Sequence, residues 1–240
     1  MIKTFIKIFL FAFPFLFLSC KNRTSEMSYF PLKVGNSWSY EVTSDIDEII
    51  QKDKYFAKVD RIIEHENKDV YVRRIDAPGN IGFEYWITRE KSGFFRIAQR
   101  VDSEPIAKLD RYPRMVLKRP LELGAAWMVQ SEPFAIGPKN NQGQQYLKMP
   151  KIMFTYNVVK MNQSLTVNAG EFNNCVLIEG NANLSIYVGA VRGRKDVPII
   201  NREWYCKGIG LVKLERIEDL RSDIWTGGKI VLELLNYKIK

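Results

Sequence analysis

Between residues 37 and 43 the chain alternates strictly, with Trp38, Tyr40 and Val42 on one parity and Ser37, Ser39, Glu41 and Thr43 on the other. Only an extended backbone puts every second side chain on one face, so this segment predicts a half-buried antiparallel strand with its aromatics inward. Similar alternation, or enrichment in β-branched and aromatic residues, recurs at 55–63, 69–76, 83–89, 94–101, 152–160, 175–188, 199–206, 211–217 and 229–239. That pattern predicts about ten strands. Pro78-Gly79-Asn80, Lys91-Ser92-Gly93, Asn168-Ala169-Gly170, Lys207-Gly208-Ile209-Gly210 and Gly227-Gly228 punctuate them at hairpin spacing. The fold class that follows is mainly β: an antiparallel meander forming a curved sheet, a half-barrel or a sandwich, with little helix. A short helix over 45–54, capped by Asp45, competes there with the start of a strand.

Two stretches interrupt the meander. Residues 105–120 carry Lys108, Arg111, Arg114, Lys118 and Arg119 among apolar residues, and 133–150 is rich in Pro, Gly, Asn and Gln, as in a surface excursion. A repeat also runs through the chain. Pro31-Leu32-Lys33-Val34-Gly35-Asn36-Ser37-Trp38 recurs as Pro120-Leu121-Glu122-Leu123-Gly124-Ala125-Ala126-Trp127. Each copy is followed in the same order by a second block, Glu84-Tyr85-Trp86 with Gly93-Phe94-Phe95 and then Glu203-Trp204-Tyr205 with Gly210-Leu211-Val212. Two β modules, 31–119 and 120–240, within one domain spanning 29–240 are one reading of this pattern; chance identity is the other. In each copy Pro and Gly would shape the lead-in turn and the Trp would enter the core, its indole N–H needing an acceptor.

The amino terminus is of a different kind. Lys3 and Lys7 lie ahead of and within an apolar run, 8–18, that ends in Ser19 and Cys20. The run is shorter than the roughly 20 apolar residues of a spanning helix, so 1–19 reads as a signal peptide. Leu16-Phe17-Leu18-Ser19-Cys20 resembles the lipobox of bacterial lipoproteins, departing from its usual pattern at Phe17 and Leu18. The resemblance implies cleavage before Cys20, acylation of its sulfur, and a membrane as partner through that lipid. Residues 20–28 then form a polar tether. Lys21 stands where an acidic residue would favour inner-membrane retention, which points to the cell envelope and its outer membrane. Removing Lys3 and Lys7 leaves about +7 of the formal +9, dispersed along the chain and therefore mostly a solvated face. No nucleic-acid-binding signature is present, and export argues against that partner.

With Cys20 committed to lipid, Cys175 and Cys206 form an even pair in an oxidising compartment. A disulfide across a hairpin turning near 189–198 is one reading, and two buried thiols the other. Signals for chemistry are sparse. His65, the one histidine, sits between Glu64 and Glu66 with no second imidazole or CxxC, so neither a metal site nor a cofactor is expected. No GxSxG surrounds a serine. Glu84 and Glu203, equivalent in the repeat, are the carboxylate pair a glycan hydrolase would need. Five tryptophans and eleven tyrosines could pack a core or line an apolar groove.

The PLxxGxxWxY stretch at 31–40, TVxAGEFxxC at 166–175 and GxGLVK at 208–213 resemble those of a group of uncharacterised bacterial secreted proteins and lipoproteins. The likeness implies a mostly β domain and carries no catalytic residues. The expected function is a non-catalytic envelope lipoprotein that binds an apolar ligand or another envelope protein. The alternative is a surface adhesin that grips anionic glycans through Lys108, Arg111, Arg114, Lys118 and Arg119 with Arg192, Arg194 and Lys195.

Overall fold

The computed structural model of the chain describes residues 28–139, 149–220 and 222–240. The signal peptide, Cys20 and the tether through residue 27 lie outside them. Twelve strands follow one another: β1 (Ser37–Ile46), β2 (Ile49–His65), β3 (Lys68–Ala77), β4 (Ile81–Arg89), β5 (Gly93–Val101), β6 (Lys108–Lys118), β7 (Ala126–Ser131), β8 (Ile152–Val167), β9 (Gly170–Tyr187), β10 (Arg194–Cys206), β11 (Gly210–Glu218) and β12 (Gly228–Lys238). All belong to one antiparallel sheet in the order β6-β5-β4-β3-β2-β1-β12-β11-β10-β9-β8-β7. The two edges, β6 and β7, meet without a hydrogen-bonded ladder, so the sheet curls into a nearly closed barrel with one seam. Curling of this kind is how a twisted sheet of many strands buries one whole face.

Three sequence expectations change. Residues 45–54 are not helical: they form the β1–β2 hairpin, whose turn is made by Asp47 and Glu48 at φ 52° and 67°, as a two-residue primed turn requires. Residues 105–120, read as an interruption, contain strand β6. Its alternation is hidden because two bulges break its pairing with β5, and Pro113 is tolerated because the strand borders the seam. The start of 133–150 is no surface excursion either. Ala135 and Ile136 are buried, and Pro138 pairs with Trp225 across the far end of the barrel.

The two Pro-Leu-x-x-Gly turns are equivalent in hydrogen bonding. Gly35 N–H donates to Val59 O (2.9 Å) and Val59 N–H to Asn36 O (2.9 Å); Gly124 N–H donates to Val158 O (2.9 Å) and Val158 N–H to Ala125 O (3.0 Å). Gly35 and Gly124 take φ 87° and 79°, a region in which any side chain is strained. Each turn thus clamps the strand after the one it introduces, and each opens a run of six strands. Trp38, 4% exposed, gives its indole N–H to Ile209 O at 2.7 Å.

Two clusters fill the interior. The larger runs from Phe30 and Phe94 at the base, where the chain enters, through Trp127, Phe154, Tyr156 and Ile178 to Leu220. The smaller lies under the tip of the β8–β9 hairpin, which bends onto β12 so that Ala169 N–H reaches Leu234 O at 2.9 Å. It contains Trp38, Tyr40, Val59, Phe172, Cys175 and Cys206. The two cysteines are cross-strand partners on β9 and β10 and are joined as a disulfide.

Candidate functional site

The barrel is not solid. A cavity of about 470 Å³ lies behind the seam, and both edge strands line it: Arg114, Met115 and Val116 from β6, Trp127, Val129 and Ser131 from β7. Because a ladder is missing there, the seam is the natural mouth. Tyr85 and Ile87 of β4, Arg73 of β3, Tyr156 of β8, and Glu203 and Tyr205 of β10 form the remaining wall, and Phe30 closes it towards the base. Aromatic rings order the wall. Trp127 and Tyr156 stack with centroids 5.6 Å apart and planes 12° apart. The Tyr156 ring also covers Gly180, its cross-strand partner, where a Cβ would fall 2.6 Å from the ring.

Charges in this wall are placed unevenly. Arg96 is paired with Asp110 through Nε–Oδ2 (2.7 Å) and Nη2–Oδ1 (3.0 Å). Glu203 accepts from Asn201 Nδ2 at 2.7 Å, and Asn201 also donates to the Tyr156 hydroxyl at 3.2 Å. Burial pushes the Glu203 carboxyl above its ordinary range, with hydrogen bonds from Tyr205 and Asn201 and the nearby Arg114 offsetting part of the effect. The Tyr156 and Tyr205 phenols are likewise raised, chiefly by desolvation and then by the Glu203 charge. Arg114 is lowered, first by burial and then by repulsion from Arg96.

The sequence-derived residues are distributed otherwise than their motifs suggest. Tyr85 and Ile87 face the cavity, so Glu84, next to Tyr85 and on the other parity of β4, faces outward. There it is held by Arg61 (Nη1–Oε1 3.0 Å, Nη2–Oε2 3.1 Å) and by Arg100 Nε at 3.0 Å. Glu203 faces inward. The two carboxylates therefore stand on opposite faces of the sheet and cannot flank one bond. His65 ends β2 and packs edge-on against Trp86 at 5.8 Å. Among the described residues no three His, Cys, Asp or Glu side chains cluster as a metal site.

The eight basic residues do not form one patch. Arg114 turns into the cavity. Arg111 lies over the exposed Tyr112 ring, and Arg194 is occupied by Ser185. Lys108, Arg192, Arg194 and Lys195 are at the far end of the strands, whereas Lys118 and Arg119 are at the base. That base carries a second concavity of about 520 Å³ in which Lys118 and Arg119 meet Arg89, Lys91 and Lys207 beside Ser28. Sequence spacing could not reveal this cluster, because its members come from three different turns.

No protein-family model and no curated protein sequence matches this chain. Two solved structures are similar to it. A "putative exported protein with YmcC-like fold" from Bacteroides fragilis shares 12% identity, covers 87% of this chain and 98% of its own, and superposes with a TM-score of 0.43. A "putative lipoprotein" from Parabacteroides distasonis shares 13% identity, covers 88% and 98%, and has a TM-score of 0.42.

Proposed function

We propose that this protein is a non-catalytic lipoprotein of the bacterial envelope, anchored through Cys20 to the outer membrane, whose barrel holds a ligand with an apolar body. The observation that carries the reading is the cavity behind the seam, bounded by Tyr85, Trp127 and Tyr156 and reached between two strands that share no ladder. A volume of this size falls within the range of small-molecule sites, and the wall combines aromatic rings with charged and polar side chains that could orient a ligand. The lipobox supplies location. The opposite facing of Glu84 and Glu203 supports a binding role over glycan hydrolysis.

Native mass spectrometry of the chain from residue 21, purified from a bacterial periplasm, tests this. A co-purifying small-molecule mass that is released on unfolding is the expected result. A bare protein mass, together with failure of any apolar probe to bind, would leave docking to another envelope protein as the better account.

A second reading, capture of anionic glycans, finds support in the base cluster of Arg89, Lys91, Lys118, Arg119 and Lys207 and not in the dispersed far-end residues. Heparin binding that falls steeply with salt, and is lost in Lys118→Glu with Arg119→Glu, is its signature.

A further inference from the structure

Most charged side chains turned into this barrel have a partner. Arg216 is joined to Glu218, and Arg96 to Asp110. Two guanidiniums have no ion-pair partner among the described residues, and both line the same cavity. Arg114, on β6, has no hydrogen-bond or ion-pair partner among the described residues. Its cross-strand neighbour is Arg96, which already donates to both carboxylate oxygens of Asp110. Arg73, on β3, is held against the rings of Phe30 and Trp38 at 5.4 and 5.2 Å and meets the Tyr40 hydroxyl, but it forms no ion pair among the described residues and its buried Nε has no acceptor. Glu203 lines the same cavity and attracts Arg114, but it forms no ion pair among the described residues and is engaged by Asn201.

A guanidinium taken out of water and left without an anion is expensive, and a buried N–H without an acceptor adds the cost of an unmade hydrogen bond. The same two groups would gain most from an anion brought into the cavity, since the attraction is little screened there and the planar guanidinium matches a carboxylate or phosphate group. One stretch of the wall is apolar: Tyr85, Trp127, Tyr156 and Ile87 present ring faces and an alkyl group, while Gln99, Gln130 and Ser131 line the cavity elsewhere.

We propose that the cavity is an anion-selective site for a single-headed amphiphile, its anionic head held by Arg73 and Arg114 and its apolar chain lying against Tyr85, Trp127 and Tyr156 towards the seam. The proposal rests on the interior-ligand reading above and adds the ligand's charge. A carboxylate and a phosphate head share the chemistry that the two arginines recognise, and the experiment separates them.

The test uses the full, lipid-anchored protein in nanodiscs, with empty discs as the blank, and three eight-carbon probes: octanoate, octyl phosphate and octanol. Binding is followed through tryptophan fluorescence, which Trp127 should report. At least one anionic probe is expected to bind tenfold or more tightly than octanol, and the tighter of the two identifies the head group. Arg114→Gln should bring that probe down to the affinity of octanol while leaving octanol binding unchanged, and Arg114→Lys should retain part of the preference. Arg73→Gln should act in the same direction, with a circular dichroism spectrum to show that the barrel is intact. Equal binding of all three probes, unaffected by Arg114→Gln, would overturn the anion site and keep the interior-ligand reading. Binding of none would overturn both.

Discussion

Arg216 and Glu218 stand two residues apart on one face of β11, 3% and 0% exposed, with Nε and Oε1 2.6 Å apart. Each also ties down the segment that caps the far end of the barrel. Glu218 accepts from the backbone N–H groups of Phe134, Ala135 and Ile136 at 2.8–3.0 Å. Arg216 donates to Glu132 O at 3.0 Å and lies over the rings of Phe134 and Phe154 at 4.3 and 4.6 Å. Removing the carboxylate leaves a buried cation and three amides without an acceptor. Glu218→Ala is expected to cost about 3–5 kcal/mol, the range for breaking a buried pair from one side. Urea unfolding should show the loss as a lowered midpoint, and a wild-type midpoint would refute this account of how the cap is held.

Acid should weaken the protein through Glu84. The Arg100 and Arg61 guanidiniums, working against burial, hold its carboxyl down at about 2. A carboxyl whose folded pKa is depressed contributes stability above its unfolded pKa, and that contribution disappears as pH falls through the folded one. The loss is therefore expected between about pH 5 and 2. At roughly 1.4 kcal/mol per pKa unit, and discounted for solvent around the half-exposed Arg61, it should amount to about 2 kcal/mol. Glu84→Gln should flatten this part of the stability profile in a pH series of thermal melts.

Gly180 sits under the Tyr156 ring, and a methyl group there would need the ring to move by several tenths of an ångström. The ring cannot yield freely, since it stacks on Trp127 and its hydroxyl takes a hydrogen bond from Asn201. Gly180→Ala should therefore destabilise by about 1–3 kcal/mol, as overpacking does, and should alter ligand affinity as well. A calorimetric Tm equal to that of the wild type would show that Tyr156 has room.

The Cys175–Cys206 bridge closes a loop with a sequence separation of 31 residues. Restricting the unfolded chain over that length is worth about 3–4 kcal/mol in the loop-entropy account. Cys175→Ser with Cys206→Ser should lose an amount of that order in guanidinium unfolding. In the wild-type protein, mass spectrometry should find the two hydrogens missing until reductant is added.

Reading the chain one residue at a time recovered the strands whose alternation is unbroken, such as β1 with Trp38 and Tyr40, and it found the turns at Gly35, Gly93 and Gly124. It missed β6 because a bulged edge strand has no steady period. It also missed β7, a six-residue strand whose Trp127 it assigned only to a repeated motif. The candidate site was less legible. Arg114 was noticed for its charge but assigned to a surface patch, and Arg73 was not singled out at all.

The sequence by itself determined that this chain is β-rich, where most hairpins turn, and that two Pro-Leu-x-x-Gly turns recur ahead of a tryptophan. Those properties are local: a period of two and a positive φ are set by a few neighbouring residues. Only the tertiary structure decided that the meander closes on itself by pairing β1 with β12, that Cys175 meets Cys206, and that Glu84 and Glu203 face opposite ways although their motifs match. The physical reason is register. On β4 the inward parity holds Tyr85 and Ile87, whereas on β10 it holds Glu203 and Tyr205, so the matched glutamates fall in opposite phases of the alternation. Arg73 and Arg114 likewise reach one cavity only because the curled sheet brings β3 and β6 around the same interior.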